Sequence, residues 1–119
     1  MNYATRYFTK FTLCAAAAWA LFSADASAGS ATNVTILSIE VESQGDLFIY
    51  LSGNITGGPA CGSSDPNGFV VDGSTAGGKV MVALIQVAYT LGKTVSATGT
   101  NVCDLHPVFE TLFDIRTTN

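Results

Sequence analysis

The sequence is poor in the residues from which catalytic and metal sites are usually built. Its 119 residues include one histidine, His106, and three cysteines, none of them in a C-x-x-C pair. A zinc site and a base-activated nucleophile both need more partners than this. The glycine-rich "STAGGK" lacks the G-x-x-x-x-G-K-[ST] spacing of a phosphate-binding loop. We therefore expect no catalytic residues, no metal and no cofactor, and we place a small hydrolase third among the functional hypotheses.

Charged side chains are also scarce, at 12% of the sequence, and there are nine acidic residues against five basic ones. After residue 28 the balance is three basic against eight acidic side chains. Non-specific binding to nucleic acid or to anionic lipid requires clustered Lys and Arg. The sequence therefore predicts no nucleic-acid partner and no membrane insertion of the processed chain.

No apolar run is long enough to span a membrane. The longest, Phe11 to Ala24, has 14 residues, against the roughly 20 that a spanning helix needs. A basic stretch precedes it, and "ADASA" follows with small residues in an A-x-A arrangement that ends at Ala26 or Ala28. This order is typical of a secretory signal peptide. We expect cleavage after Ala28, with residues 1–28 as the signal, 29–119 as a single domain, and a secreted or periplasmic location.

Two cysteines, Cys61 and Cys103, remain after this cleavage, because Cys14 leaves with the signal. An even pair in an exported chain predicts a disulfide. Closing a loop of about 43 residues would stabilise the fold by roughly 4 kcal/mol through the entropy of the unfolded chain. The alternative is a pair of free, buried thiols.

Period-two alternation predicts a hairpin near the start of the domain. In "NVTILSIEVES" the expected inward residues are Leu37, Ile39 and Val41. After the glycine-containing turn "SQGD", the segment "LFIYLSG" alternates Leu47, Ile49 and Leu51 with Phe48, Tyr50 and Ser52. A loop rich in Gly, Pro, Ser and Asn follows, and "FVV" is a short third strand.

The segment "GGKVMVALIQVAYTLGK" predicts a helix from Lys79 to Leu91, with Ser74 or Thr75 as its N-cap and Gly92 after its end. Its polar residues form one narrow stripe, and the rest of its circumference is apolar. A helix that lies on one sheet buries a narrower face than this. A second apolar partner is therefore implied.

Two further strands are predicted after the helix. "KTVSATGT" alternates, and "PVFETLFDIRTTN" places Phe109, Phe113 and Ile115 on one face, with Leu112 out of pattern. A short helix at Phe109 to Phe113 is the competing interpretation. The order β-β-β-α-β-β is that of a mainly β, OB-fold-like, partly open barrel with one helix. An α+β sandwich with the same order of elements remains an alternative.

Three segments together, "GGPACGSSDPNGFVV", "GGKVMVALIQVAYTLGKTV" and "GTNVC", resemble small exported bacterial proteins related to the binding (B) subunit of subtilase-type cytotoxins. The resemblance spans roughly Leu47 to Cys103. It implies an OB-fold subunit that assembles into a homopentamer with its helices around a central pore. It also implies glycan binding on the outer barrel surface and a catalytic subunit as partner.

The first functional hypothesis is therefore a non-enzymatic, glycan-binding module with Phe48, Tyr50 and Ser52 on its binding face. The resemblance places Ser52 where that family has a carboxylate, and a further polar contact near Thr32 or Asn33. Oligomer contacts are expected at Met81, Ile85 and Tyr89. The second hypothesis is a stand-alone periplasmic protein of structural or inhibitory type, which shares the fold but binds a protein partner.

Overall fold

The protein is described here from a computed structural model, which describes residues 27–118. Apart from Ser27 and Ala28, the predicted signal peptide lies outside the described residues. The elements are β1 (Ser30–Val41), β2 (Asp46–Leu51), β3 (Gly68–Asp72), α1 (Ala76–Thr90), β4 (Thr94–Gly99) and β5 (Glu110–Thr118). A short 3-10 helix, Ala60–Ser64, interrupts the β2–β3 loop. The predicted order of elements is confirmed, and neither helix in this part of the chain is long and apolar enough to cross a membrane.

The five strands form one sheet that closes into a ring in the order β1-β2-β3-β5-β4. The long first strand makes the closure possible, because its first half pairs with β4 and its second half pairs with β2. The only parallel pairing among the five strands joins β3 to β5, with Phe69 opposite Glu110. This parallel contact is short, because only Phe69 and Val70 of β3 pair with β5, and it closes the ring at one end of β5.

The core fills the inside of this ring with apolar side chains from every strand and from the helix. The largest fully buried ones are Phe69, Leu47, Ile49, Leu51, Ile85, Val71 and Val95. Alternation along β2 is as predicted, since Leu47, Ile49 and Leu51 all belong to this inner cluster.

Two predicted inward residues, Leu37 and Phe113, instead lie exposed on the outside, at 59% and 70% of their full accessibility. Each stands at a break in strand register: β1 gains a residue between Ile36 and Ser38, and β5 gains one opposite the Thr98–Gly99 step. A bulge of one residue shifts the side-chain alternation by one. Ile36 and Leu112 are therefore buried in their place.

Other details of the strand predictions also need correction. Val41, predicted to face inward, is 63% exposed, whereas Ile39 packs against the core as expected. The competing short helix at Phe109 to Phe113 is wrong, because β5 runs through most of that segment.

The helix is capped at both ends as predicted. Asp72 Oδ1 accepts hydrogen bonds from the hydroxyl and the backbone N–H of Ser74, and these bonds lower the pKa of Asp72. The turn leads into Thr75, whose Oγ1 accepts the N–H of Gly78 at 3.0 Å. At the other end Gly92 adopts a positive φ of 60°, and Lys93 N donates to Ala88 O at 2.9 Å. The helix begins three residues earlier than predicted, at Ala76.

One face of α1 packs against the core of the barrel. Two of the predicted oligomer contacts lie on this face, so their prediction is corrected. Ile85 is fully buried in the protein's own core, and Met81 packs against that core. Only Tyr89 of the predicted set is exposed. The apolar residues that do face outward are Val80, Ala83, Val87 and Leu91.

The predicted disulfide is confirmed. Cys61 and Cys103 are bonded, with an S–S distance of 2.08 Å and their Cα atoms 6.3 Å apart. The bond joins the 3-10 helix in the β2–β3 loop to the connection between β4 and β5. The alternative of two free thiols is therefore wrong.

Two adjacent glycines at the start of α1 provide a matched test of this packing. A Cβ at Gly78 would collide with the carbonyl oxygen of Asp72, whereas a Cβ at Gly77 would meet nothing within 4 Å. We expect Gly78→Ala to lower the free energy of unfolding by about 2 kcal/mol. Gly77→Ala should raise it by about 0.5 kcal/mol, because alanine restricts the unfolded chain more than glycine does. Urea denaturation of both variants measures this, and equal effects would contradict the close approach at Gly78.

Candidate ligand-binding site

The connection between β4 and β5 folds back over the outer face of the barrel. Its Phe109 forms a second buried cluster with Phe48 and Val70, outside the ring. Leu105 and Val108 pack against the same cluster. Phe48 is consequently only 3% exposed, which corrects the expectation that it lies on an open binding face. This residue supports the site from below and offers little surface to a ligand.

Four aromatic rings pack edge to face on this side of the protein. The ring centroids of Phe48 and Phe109 are 4.9 Å apart, and that of His106 lies 5.2 Å from Phe48 and 5.3 Å from Phe109. Tyr50 joins the group through Phe109, at 5.8 Å. Such arrangements are favourable and directional. They hold the four rings in fixed positions relative to one another.

A shallow recess of about 170 Å³ lies over these rings. Its lining residues are Glu40, Glu42, Phe48, Tyr50, His106 and Phe109. The β1–β2 hairpin places the acids beside the rings, because Glu40 pairs directly with Phe48 in the strand register. The recess therefore has an aromatic floor and a carboxylate side, and we name it the Tyr50 recess.

Tyr50 is the half-buried centre of this recess. Its hydroxyl donates to Glu40 Oε2 over 3.5 Å, a long hydrogen bond. Burial raises the pKa of the Tyr50 phenol, and the negative charges of Glu40 and Asp65 raise it further. The phenol is thus a neutral hydrogen-bond donor. A ligand hydroxyl could take the place of Glu40 as its acceptor, or join the hydrogen bond between the two.

The predicted site residues do not all meet. Ser52 lies beyond the end of β2, where its Oγ accepts the N–H of Thr35 at 2.9 Å, and it does not line the Tyr50 recess. Asn33 lies in the half of β1 that pairs with β4, where its N–H donates to Ser96 Oγ at 3.3 Å. Thr32 is exposed nearby in the chain. The structure brings Tyr50 together with Phe48 and leaves the other predicted contacts outside the recess.

Sequence reasoning missed Glu40, Glu42 and His106 as parts of the site. The sequence pattern favoured a solvent-exposed strand face for the two acids and a loop position for the histidine. The signal for Glu40 was present in the predicted alternation, which puts Glu40 and Phe48 on the same outer face, and the three-residue turn at 43–45 sets them opposite each other. No local signal marks His106, because its position depends on how a long connection folds.

The other pair of acids considered from the sequence, Asp104 and Glu110, does not form an acid–base couple. Asp104 is exposed and accepts a hydrogen bond from the hydroxyl of Thr111. Glu110 is buried. Thr111, which binds Asp104, follows Glu110 directly in β5. Adjacent strand residues point to opposite faces, so the side chains of Thr111 and Glu110 lie on opposite sides of β5.

The side chains of the Tyr50 recess can form hydrogen bonds and apolar contacts with a ligand. Carboxylates accept hydrogen bonds from hydroxyl groups, and aromatic rings pack against apolar C–H surfaces. Within residues 27–118 no three His, Cys, Asp or Glu side chains are grouped so that they could hold a metal ion. The recess is too shallow to enclose a large ligand.

No protein-family model matches the chain, and a search of curated proteins finds no significant match.

The raised pKa of Tyr50 can be tested directly, because Tyr50 and Tyr89 are the only tyrosines after residue 28. In a Tyr89→Phe chain that begins at Gly29, the phenolate absorbance reports Tyr50 alone. We expect its midpoint above the ordinary tyrosine value of about 10. The folded state favours the neutral phenol, so this contribution to stability is complete below that value and is lost as the pH rises through the folded pKa.

Glu40→Gln in the same background supplies the control. It should lower the midpoint without restoring the ordinary value, because burial is the larger cause of the raised pKa. A midpoint that does not respond to Glu40→Gln would contradict the pairing of Tyr50 with Glu40.

Proposed function

We propose that this protein is an exported, non-enzymatic binding subunit that recognises a neutral glycan through the Tyr50 recess. The observation that carries the proposal is the juxtaposition in one recess of a half-exposed tyrosine, a rigid aromatic floor and two carboxylates. A sugar ring presents an apolar C–H face and a rim of hydroxyl groups. The C–H face can pack on the aromatic rings, and the hydroxyl groups can donate hydrogen bonds to the carboxylates.

The charge around the recess favours a neutral sugar over an acidic one. Glu40 and Glu42 line it, and Asp65 is close enough to raise the pKa of Tyr50. No lysine or arginine is among the lining residues of this recess. An acidic sugar would therefore meet like charges, which disfavour binding. Ser52, which stands where the toxin family has a carboxylate, lies apart from this charge.

We propose further that the barrel is an OB-fold. The closed strand order, the parallel pairing of β3 with β5 and the helix between β3 and β4 support this assignment. The resemblance to the B subunits of subtilase-type cytotoxins is in keeping with it. Export is in keeping with the predicted signal peptide and with the disulfide, since disulfides persist in oxidising compartments.

Self-assembly through α1 completes the proposal. Val80 and Leu91, at opposite ends of the outward apolar face, are 70% and 64% exposed, and Val87 lies between them at 54%. A second copy of the chain supplies a face of the same kind, as the ring of five implied by the resemblance would require. A catalytic subunit would then be the natural partner of such a ring.

The same face favours one alternative function. A stand-alone periplasmic protein of structural or inhibitory type could cover Val80, Val87 and Leu91 with a different protein instead of its own copies. Exposed apolar patches are a common mark of protein-binding surfaces. The oligomeric state of the purified chain distinguishes the two cases.

Glycan binding provides the first test. We expect Tyr50→Ala to reduce the affinity for a neutral glycan identified on an array at least tenfold, because it removes both the phenol donor and the exposed ring. Calorimetry with the purified sugar measures the loss. The matched control is Tyr89→Ala on the helix, which should bind as the unsubstituted protein does.

Both variants must retain the far-ultraviolet spectrum of the parent chain for the comparison to hold. Preserved binding by a folded Tyr50→Ala protein would overturn the proposed site. Strong preference for sialylated over neutral sugars would overturn the proposed ligand class.

Self-assembly provides the second test. Val87→Glu places a charge at the centre of the outward apolar face, where burial of an unpaired charge is costly. We expect native mass spectrometry to show a homo-oligomer for the parent chain and a folded monomer for this variant. Gln86→Glu adds the same charge one residue away, on the polar stripe of the helix, and should leave the oligomer intact.

A monomeric parent chain would refute self-assembly and favour the protein-partner alternative. Equal disruption by the two substitutions would place the contact away from the face centred on Val87.

A further inference from the structure

Glu110 is a buried carboxylate that the proposed binding function does not use. It begins β5, and only 2% of it is exposed. Its Oε1 accepts two backbone N–H groups, from Asn101 at 2.7 Å and from Gly29 at 3.0 Å. Among residues 27–118 the one ion pair joins Arg116 to Asp114, so no described side-chain cation compensates Glu110. The described residues therefore give this carboxylate two backbone donors and no positive charge to pair with.

The space around this carboxylate is made by three glycines from different parts of the chain. A Cβ at Gly29, Gly58 or Gly99 would collide with the side chain of Glu110. Three segments therefore approach the carboxylate at backbone distance, and one of them contributes the nitrogen of Gly29.

The position of this nitrogen is fixed by the strand that follows it. Gly29 O accepts the N–H of Gly99 at 2.8 Å, and Ser30 exchanges two backbone hydrogen bonds with Thr56, at 2.9 and 2.8 Å. These bonds involve no residue before Gly29. The nitrogen of Gly29 would therefore stay beside Glu110 if the chain began there.

We propose that the chain is processed between Ala28 and Gly29 and that the new α-ammonium of Gly29 forms a buried ion pair with Glu110. The reaction is hydrolysis of one peptide bond by the signal peptidase of the exporting cell. Water supplies the oxygen of the Ala28 carboxylate, and the nitrogen of Gly29 leaves as an ammonium group. The proposal rests on the proposed export, but the ion pair can be tested without it.

Cleavage at Ala28 gives Glu110 what the uncut chain lacks. An amide nitrogen offers one proton and no net charge, whereas an α-ammonium offers three protons and a full positive charge. Cleavage after Ala26, the other A-x-A position, would leave Gly29 as an amide. Gly29 is buried in the folded domain, so the cut must precede folding, as expected of a chain processed during export.

The mass of the exported protein tests the cut. Expression of the full 119-residue chain with export to an oxidising compartment should yield a protein that begins at Gly29. A protein that begins at Ser27 would overturn the processing site.

A thermodynamic cycle tests the ion pair independently of export. Two chains, one beginning at Gly29 and one at Ser27, are released from a fusion partner and oxidised, each with and without Glu110→Gln. The Ser27 chain is the matched control, because its Gly29 nitrogen is an amide. We expect Glu110→Gln to lower the melting temperature of the Gly29 chain by roughly 5 °C more than that of the Ser27 chain, a shift typical of one favourable interaction in a small domain. Equal shifts would overturn the ion pair.

Amine reactivity gives a second measurement that needs no substitution. In the Gly29 chain the α-amine should be acetylated by acetic anhydride more slowly than the exposed Lys79 and Lys93. In the Ser27 chain the first residue is exposed. There the α-amine should react faster than the two lysines, because an unperturbed α-amine is less basic than a lysine amine. Peptide mass spectrometry follows each site. An α-amine at Gly29 that reacts ahead of both lysines would also overturn the ion pair.

Discussion

Closure of the sheet through β1 is the constraint on which the rest of the structure depends. A strand of 12 residues can pair with two neighbours in succession, and this joins the β1–β2–β3 strands to the β4–β5 pair at one side, while the parallel β3–β5 contact joins them at the other. Closure fixes an inside for every strand. The bulges at Leu37 and Phe113 then decide which apolar side chains fall outside it, and these two residues are exposed for that reason.

A second layer on the outside of the ring creates the proposed binding site, the Tyr50 recess. The connection between β4 and β5 brings His106 and Phe109 onto the outer face of β2, and the Cys61–Cys103 bond restrains this connection from the other side. Phe48 is therefore buried beneath this connection, where it packs under the recess. Tyr50 is the exposed edge of the same group of aromatic rings. The disulfide therefore stabilises the site as well as the fold, since it limits the freedom of the segment that covers Phe48.

Local patterns were sufficient to predict the elements, but tertiary choices decided the site. Alternation in β2, the cap at Thr75 and the glycine at Gly92 are local signals, and each was predicted from its own neighbours. Leu112 stood out of pattern in the sequence, but the alternation could not say that a bulge turns Leu112 inward and Phe113 outward. The helix is apolar on both sides, and its pattern could not say that Ile85 faces the barrel while Val87 faces outward.

The distribution of charge separates the two proposed surfaces. No acidic residue occurs in α1, and a lysine stands near each end, Lys79 and Lys93. Copies that met through this helix would bring together apolar side chains without a row of like charges between them. The carboxylates lie elsewhere, and two of them, Glu40 and Glu42, line the Tyr50 recess. The proposed assembly surface and the proposed ligand surface are therefore different parts of the molecule, and assembly through the helix would leave the Tyr50 recess open to a ligand. A charge introduced on one of these surfaces should affect only the function of that surface.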